Sequence, residues 1–82
     1  MRVSVEYKVK VDSPLLAKTI RTALLPDLSN LPEGCIGNVA CEENYVYLKI
    51  ECSNISKLRA LNNSFIGVLT LLLEIAGELR NE

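Results

Sequence analysis

The sequence predicts an α+β fold, a two-layer sandwich in which a three-stranded antiparallel sheet carries two helices on one face. The stretch from Val3 to Val11 alternates apolar and polar residues, as a half-buried strand does. Two further stretches, after Ser13 and after Ser53, repeat apolar residues at helical spacing, and two short strand-like runs lie between them. The element order is therefore strand, helix, strand, strand, helix. A helical crossover makes the first two strands parallel and a hairpin makes the third antiparallel, so the simplest sheet has the third strand in the middle.

The first strand and the first helix are separated by a clear helix start. The core-facing residues of the strand are expected to be Val3, Val5, Tyr7, Val9 and Val11. Ser13 is a good N-cap, and Pro14 suits the first helical position because its missing N–H would have no helical partner there. The helix should end near Leu25, since Pro26-Asp27 follows. Its expected buried face consists of Leu16, Ala17, Ile20, Ala23 and Leu24.

The middle of the chain is expected to hold a loop and a hairpin. Leu28 to Gly37 contains Pro32 and two glycines among polar residues, which indicates an irregular loop. The second strand should run from about Asn38 to Glu42 and the third from about Tyr45 to Cys52, with a tight turn at Glu43-Asn44. In the third strand the core-facing residues should be Val46, Leu48, Ile50 and Cys52.

The last third of the chain, Ser53 to Asn81, is expected to form one long helix with more apolar surface than its own sheet can cover. At ~100° per residue its apolar side chains fill an arc of roughly 220°, whereas covering one sheet takes a stripe a little over ~100° wide. The centre of the arc should face the sheet through Phe65, Leu69, Leu72 and Ala76. The flank is assigned to a partner interface, through Val68, Leu71, Ile75 and Leu79. The alternative is a helix sunk between two layers of its own domain, for which little chain remains.

Length and composition predict one soluble domain spanning residues 1–82. With 82 residues, 49% hydrophobic and 23% charged, the chain is too apolar to be disordered and too short for two cores. The N-terminus alternates and so lacks the apolar core of a signal peptide. The longest apolar run, Phe65 to Leu73, is shorter than the ~20 residues needed to cross a bilayer. We therefore expect a cytoplasmic protein with no membrane partner.

No residue pattern indicates catalysis. The chain has no histidine, no phosphate-binding glycine-rich loop, no nucleophile elbow and no cluster of metal ligands, so we expect no catalytic, cofactor-binding or metal site. Cys35, Cys41 and Cys52 are odd in number and lack a Cys-x-x-Cys spacing. They are expected to be small buried apolar residues, and a disulfide between two of them is the less favoured alternative.

The formal net charge of −1 excludes a bulk electrostatic attraction to nucleic acid, so any such binding must use a local patch. On the helices, the candidates for contact with RNA or with a partner protein are Lys18, Arg21, Arg59 and Asn63. The uncovered sheet face should carry basic and aromatic residues together, a pattern that can bind single-stranded RNA, although Glu6 and Glu51 dilute it. These residues are Arg2, Lys8, Lys10, Tyr45, Tyr47 and Lys49.

Two segments of the chain carry helix patterns of a known kind. The first-helix pattern consists of Ser13-Pro14, Ala17, Ile20, Ala23-Leu24 and Pro26-Asp27. The second-helix pattern consists of Leu58-Arg59-Ala60 and Asn63-Ser64, followed by the long apolar helix. Together they resemble the small dimerising subunit of the KEOPS complex, a family related to the LAGE cancer/testis antigens. The match covers nearly the whole chain, including its length and its element order. The acidic charge and the extra residues of the Leu28 to Gly37 loop depart from the family pattern and leave room for a paralogue of the main subunit.

The resemblance implies a non-catalytic scaffold. KEOPS installs a threonylcarbamoyl group on a tRNA adenosine, and the chemistry belongs to an ATP-binding transferase subunit. The small subunit forms a homodimer, docks on the transferase through its helices and contributes to tRNA binding, which for this chain should be weak or exerted through the complex. The first alternative is a free-standing RNA-binding module of KH-like architecture, for which we expect the required Gly-x-x-Gly clamp loop to be absent. The second is a small ligand-binding or enzymatic α+β domain, which the missing acid–base groups disfavour.

Overall fold

The protein is an α+β sandwich, seen here in a computed structural model that describes residues 2–75. Its elements are β1 (Val3–Lys10), α1 (Pro14–Leu28), β2 (Cys35–Glu42), β3 (Tyr45–Cys52) and α2 (Ile55–Ile75). The sheet order is β1-β3-β2, with β3 antiparallel to both neighbours. The predicted fold class and strand order are therefore confirmed. In the helical layer, α1 packs mainly on β2 and β3, and α2 packs on β1 and β3.

The first helix is capped as predicted but ends later than predicted. Ser13 Oγ accepts a hydrogen bond from the backbone N–H of Leu16 at 3.1 Å. The helix then continues through Pro26 to Leu28, so the predicted end at Leu25 is wrong. Proline removes one donor, but so close to the C-terminus the turn is held by other bonds. The N–H of Ser29 donates to the carbonyl of Leu25 at 3.1 Å, and the side chain of Asn30 donates to the carbonyl of Pro26 at 2.9 Å.

The buried face of α1 is narrower than predicted. Ala17, Ile20 and Leu24 are buried, and Leu16 is half-buried. Ala23, predicted to be buried, is exposed and lines a surface depression with polar neighbours. The helical period places Ala23 at the edge of the apolar stripe, and since α1 covers only one side of the sheet, that edge is left in solvent.

The second strand begins at Cys35, three residues before the predicted start at Asn38. Gly37 makes this possible, because its missing side chain leaves room for the end of α1 and the following loop. A Cβ atom at this position would lie 2.9 Å from Leu28 Cδ2 and 3.1 Å from the carbonyl oxygen of Lys49. The glycine that indicated a loop in the sequence is therefore a strand residue at a point of close packing.

Cys35 and Cys52 form a disulfide, which corrects the expectation that the cysteines are unpaired apolar residues. The two residues face each other across β2 and β3, with Cα atoms 4.1 Å apart. The adjacent pair is hydrogen-bonded, since the N–H of Ser53 donates to the carbonyl of Gly34 at 2.9 Å. The cysteines therefore occupy the closer, non-hydrogen-bonded type of cross-strand pair, where two side chains meet. Cys41 is unpaired and half-buried.

The second helix starts directly after this disulfide. Asn54 caps the helix, because its Oδ1 accepts a hydrogen bond from the N–H of Lys57 at 2.9 Å. Lys57 Nζ in turn donates to the carbonyl of Glu33 at 2.8 Å, which fixes the helix start to the loop before β2. The core lies between the helices and the sheet, and its members from α2 are Leu58, Phe65 and Leu69.

Candidate functional site

Helix α2 leaves large apolar side chains in solvent on both sides of its buried stripe. Leu58, Phe65 and Leu69 are buried and Leu72 is half-buried. Four large apolar residues of the same helix are exposed, namely Ile55 (54%), Ile66 (40%), Leu71 (56%) and Ile75 (76%). A single helix with this much uncovered apolar surface is typical of a protein interface.

One side of α2 faces the end of α1, and we call it the groove flank. A depression of about 210 Å³ lies there between the two helices, with Leu31, Leu61, Phe65 and Val68 among its walls and Asp27, Asn30 and Ser64 at its polar rim. Leu71 and Ile75 follow Val68 by one and two helical turns, so they extend the groove flank toward the C-terminal part of the helix. The fourth predicted interface residue, Leu79, lies outside the described residues, as does Ala76.

The opposite side of α2 faces the free edge of β1, and we call it the edge flank. Its depression of about 310 Å³ is lined by Ser4, Val5, Ile55, Leu58, Arg59 and Asn62. Ile66 lies one turn beyond Asn62 on the same side. The Oδ1 atom of Asn62 is buried without a hydrogen-bond partner among the described residues. Within residues 2–75, β1 pairs only with β3, so no described strand covers the outer backbone groups of this edge, and another chain can bond to them.

The helix residues predicted to contact RNA or a partner do not form one site. Lys18 lines a depression with Thr19, Thr22 and Ala23 on the outer surface of α1. Arg59 belongs to the edge flank, at the far side of α2 from α1. Arg21 is half-buried, and Asn63 is exposed on the polar side of α2. Any contact with RNA through these four residues would therefore involve at least two separate surfaces.

The uncovered face of the sheet carries the predicted mixture of basic and aromatic residues. Two of its cations are ion-paired, Arg2 with Glu51 and Lys49 with Glu6, the latter at 3.6 Å. The rings of Tyr45 and Tyr47 have centroids 6.3 Å apart. Carboxylates thus neutralise one end of this face, while the end near the tyrosines keeps its lysines unpaired within residues 2–75.

By length and composition alone, α2 could cross a membrane, and it is the one such helix in the described part of the chain. The expectation that no stretch is long enough is therefore wrong, because the described part of the helix, Ile55–Ile75, has 21 residues and Gly67 and Thr70 do not interrupt it. The core helices of soluble proteins pass the same test. Here Phe65 and Leu69 are buried against the sheet, and 17% of the candidate window is buried in all.

Gly34-Cys35-Ile36-Gly37 has the Gly-x-x-Gly spacing whose absence was expected from the sequence. The segment does not form a clamp loop, because residues 35–37 belong to β2 and Cys35 is bonded to Cys52. Within residues 2–75, no group of acidic or cysteine side chains is placed to hold a metal ion.

A family described as transcription factor Pcc1 has a sequence model that matches residues 4–77 of the chain. The match spans both helices and all three strands described above, except for Val3 at the start of β1. No curated protein matches the chain.

Proposed function

Because the chain belongs to the Pcc1 family, whose members are accessory subunits of the KEOPS complex, we propose that it is a non-catalytic scaffold subunit supporting threonylcarbamoyl modification of tRNA. Within the family we place it among the dimerising small subunits related to the LAGE antigens, as one cytoplasmic domain of residues 1–82. The observation that carries the proposal is the exposed apolar surface on both sides of α2. Two apolar flanks on one small domain suit a protein that joins two others.

The groove flank is the surface that we assign to the ATP-binding transferase subunit. A groove between two helices, with apolar walls and a polar rim, suits an amphipathic helix from a partner. Val68 lines this groove, and the exposed side chains of Leu71 and Ile75 continue it. Asp27 at the rim favours a basic residue on the partner helix.

The edge flank is the surface that we assign to a second copy of the chain. Two β1 strands can pair antiparallel about a two-fold axis, which joins the two sheets and brings the two edge flanks side by side. This contact closes on itself, so it gives a dimer and not a filament. Ile55 and Ile66 would then lose their exposure to water.

The helix layer contacts tRNA only when the chain is part of the assembled complex. Lys18 and Arg59 lie on separate surfaces, so a short RNA cannot reach both, whereas a folded tRNA spanning several subunits can. The net charge of −1 gives the isolated chain little electrostatic attraction to RNA. The alternative, a free-standing KH-like module, has less support because Gly37 of its Gly-x-x-Gly spacing is a strand residue.

Two measurements on purified protein test the proposal. Co-expression with the transferase subunit should give a complex that survives size-exclusion chromatography, and light scattering of the isolated chain at tens of micromolar should give a dimer. Ile66→Glu should convert the dimer to a folded monomer, because it places two carboxylates in one desolvated contact. Leu15→Glu, at a residue that is 74% exposed on the other helix, is the matched control and should remain dimeric. A stable wild-type monomer would refute the dimer, and absence of the transferase complex would refute the scaffold role.

A further inference from the structure

The open face of the sheet presents its side chains in cross-strand rows. Lys8 lies opposite Tyr47, whose other neighbour in the row is Ala40 of β2. Lys10 lies opposite Tyr45 in the next row. Each row therefore runs from a lysine on the outer strand to a tyrosine on the central strand.

The lysines of these two rows differ from the other cations of the face. Arg2 and Lys49 are paired with carboxylates, whereas Lys8 and Lys10 have no ion-pair partner among residues 2–75. Lys8 Nζ lies 4.5 Å from the centroid of the Tyr45 ring and 5.9 Å from that of Tyr47. Lys8 and Lys10 are two residues apart on one strand, so their Cα atoms are roughly 7 Å apart and both point away from the helices. The other neighbour of Tyr45 is Glu42 of β2, so the two rows together carry two lysines, one carboxylate and a net charge of +1.

Tyr47 is the ring that lies farther from the Lys8 ammonium group. The ammonium group of Lys8 covers Tyr45 at the shorter distance, and the neighbour of Tyr47 on β2 is the small side chain of Ala40. A depression of about 440 Å³ lies beside the ring, and its polar lining includes Lys8, Tyr47 and Asn38 together with the Glu6–Lys49 ion pair. A flat ring stacked on Tyr47 above Ala40 would meet the amide of Asn38, which can both donate and accept a hydrogen bond.

We propose that this face binds a single-stranded segment of RNA, with one base stacked on Tyr47, its edge at Asn38 and its phosphates at Lys8 and Lys10. A stacking ring, an amide at the ring edge and unpaired cations along one side are the three groups by which sheets hold single strands. The choice of RNA over DNA rests on the proposed function in tRNA modification. An acidic peptide would use the two lysines but would gain little from an aromatic ring.

The test uses the full chain and a short fluorescein-labelled oligouridylate, with anisotropy measured at low salt. Tyr47→Ala should weaken binding by roughly 5- to 150-fold, the loss of one base–aromatic stack, and Tyr47→Phe should keep the affinity. Lys8→Ala and Lys10→Ala should each reduce the slope of log affinity against log salt by about 0.7, the value for one phosphate contact on a single strand. The same strand annealed to its complement should bind more weakly, because its bases are already stacked.

Lys57→Ala is the matched control, since it removes the same charge from the opposite layer of the domain. A weakening by Lys57→Ala equal to that of Lys8→Ala would overturn the proposal, because binding would then follow net charge alone. Three other results would also overturn the proposal. They are equal binding by Tyr47→Ala and wild type, tighter binding of an oligoglutamate peptide than of RNA, and no binding of the wild type at low salt. Circular dichroism confirms that each variant is folded. Retention of the transferase complex in a chain that fails to bind RNA would refute this site and leave the scaffold role intact.

Discussion

Leu69 and Leu71 of α2 allow a direct test of how the apolar surface of this helix is divided. The two residues are identical and only two positions apart, yet Leu69 is 6% exposed and Leu71 is 56% exposed. Leu69 packs in the core, whereas Leu71 belongs to the groove flank that we assign to the transferase subunit. Glutamate at each position makes the same chemical change in two different environments.

The expected costs differ by several kcal/mol. Truncating a buried leucine costs about 2–5 kcal/mol, and burying an unpaired carboxylate adds more, against a total stability of ~5–15 kcal/mol for a small domain. Leu69→Glu should therefore unfold the protein. An exposed substitution usually changes stability by less than ~0.5 kcal/mol, so Leu71→Glu should stay folded. At a desolvated interface the same carboxylate should cost at least ~1.4 kcal/mol, which is a tenfold loss of affinity for the transferase.

Circular dichroism melts and co-purification with the transferase measure the two effects separately. The control is Leu15→Glu, because Leu15 is exposed on α1 away from both flanks. It should melt like the wild type and retain the complex. If Leu69→Glu and Leu71→Glu behave alike, both unfolding or both keeping the complex, then α2 is not divided between a core face and a partner face.

Three further substitutions test the fold itself. Replacing Cys35 and Cys52 by alanine should lower the free energy of unfolding by about 3 kcal/mol in urea denaturation. The disulfide closes a loop with a sequence separation of 17, and its loss increases the entropy of the unfolded chain. Cys41→Ala should have a much smaller effect. Glu43→Gly should raise the free energy of unfolding by about 0.5–1 kcal/mol. Glu43 has φ 54° in the hairpin turn, and glycine adopts this conformation without a steric cost. Gly67→Ala should stabilise the protein by about 0.5–1 kcal/mol and so raise its thermal midpoint, because a Cβ at this position meets nothing within 4 Å. A lower midpoint would mean that the surface of α2 is not open at Gly67.

Sequence reasoning succeeded where the signal is local. The alternation of β1, the cap at Ser13 and the run Tyr45–Cys52 each follow from the chemistry of neighbouring residues, and each appears as predicted to within a residue. The helix end was misplaced because the rule for proline describes a helix interior. Pro26 lies in the last turn, which hydrogen bonds from Ser29 and Asn30 to the carbonyls of Leu25 and Pro26 hold in place.

The disulfide and the start of β2 were missed for one shared reason. Pro32, Gly34 and Gly37 indicate a loop when they are considered alone, so Cys35 was placed outside the sheet. The strand extends to Cys35 because Gly37 fits under Leu28, a contact that depends on tertiary packing. Once β2 is extended, the register alone places Cys35 opposite Cys52. A hairpin register counted outward from the Glu43-Asn44 turn would have revealed the pair.

The three proposed surfaces lie on different parts of the domain, and this has a consequence for assembly. The groove and edge flanks are on opposite sides of α2, while Lys8 and Tyr47 are on the sheet face that the helices leave open. A transferase helix and an RNA strand would therefore bind without competing for the same residues, whereas a second copy would pair with the backbone edge of β1, the strand whose Lys8 and Lys10 side chains face the RNA. Substitutions more than ~7–10 Å apart with no shared partner usually act independently. Tyr47→Ala should accordingly lose RNA while keeping dimer and transferase, Leu71→Glu should lose the transferase while keeping RNA, and the double variant should show the product of the two effects.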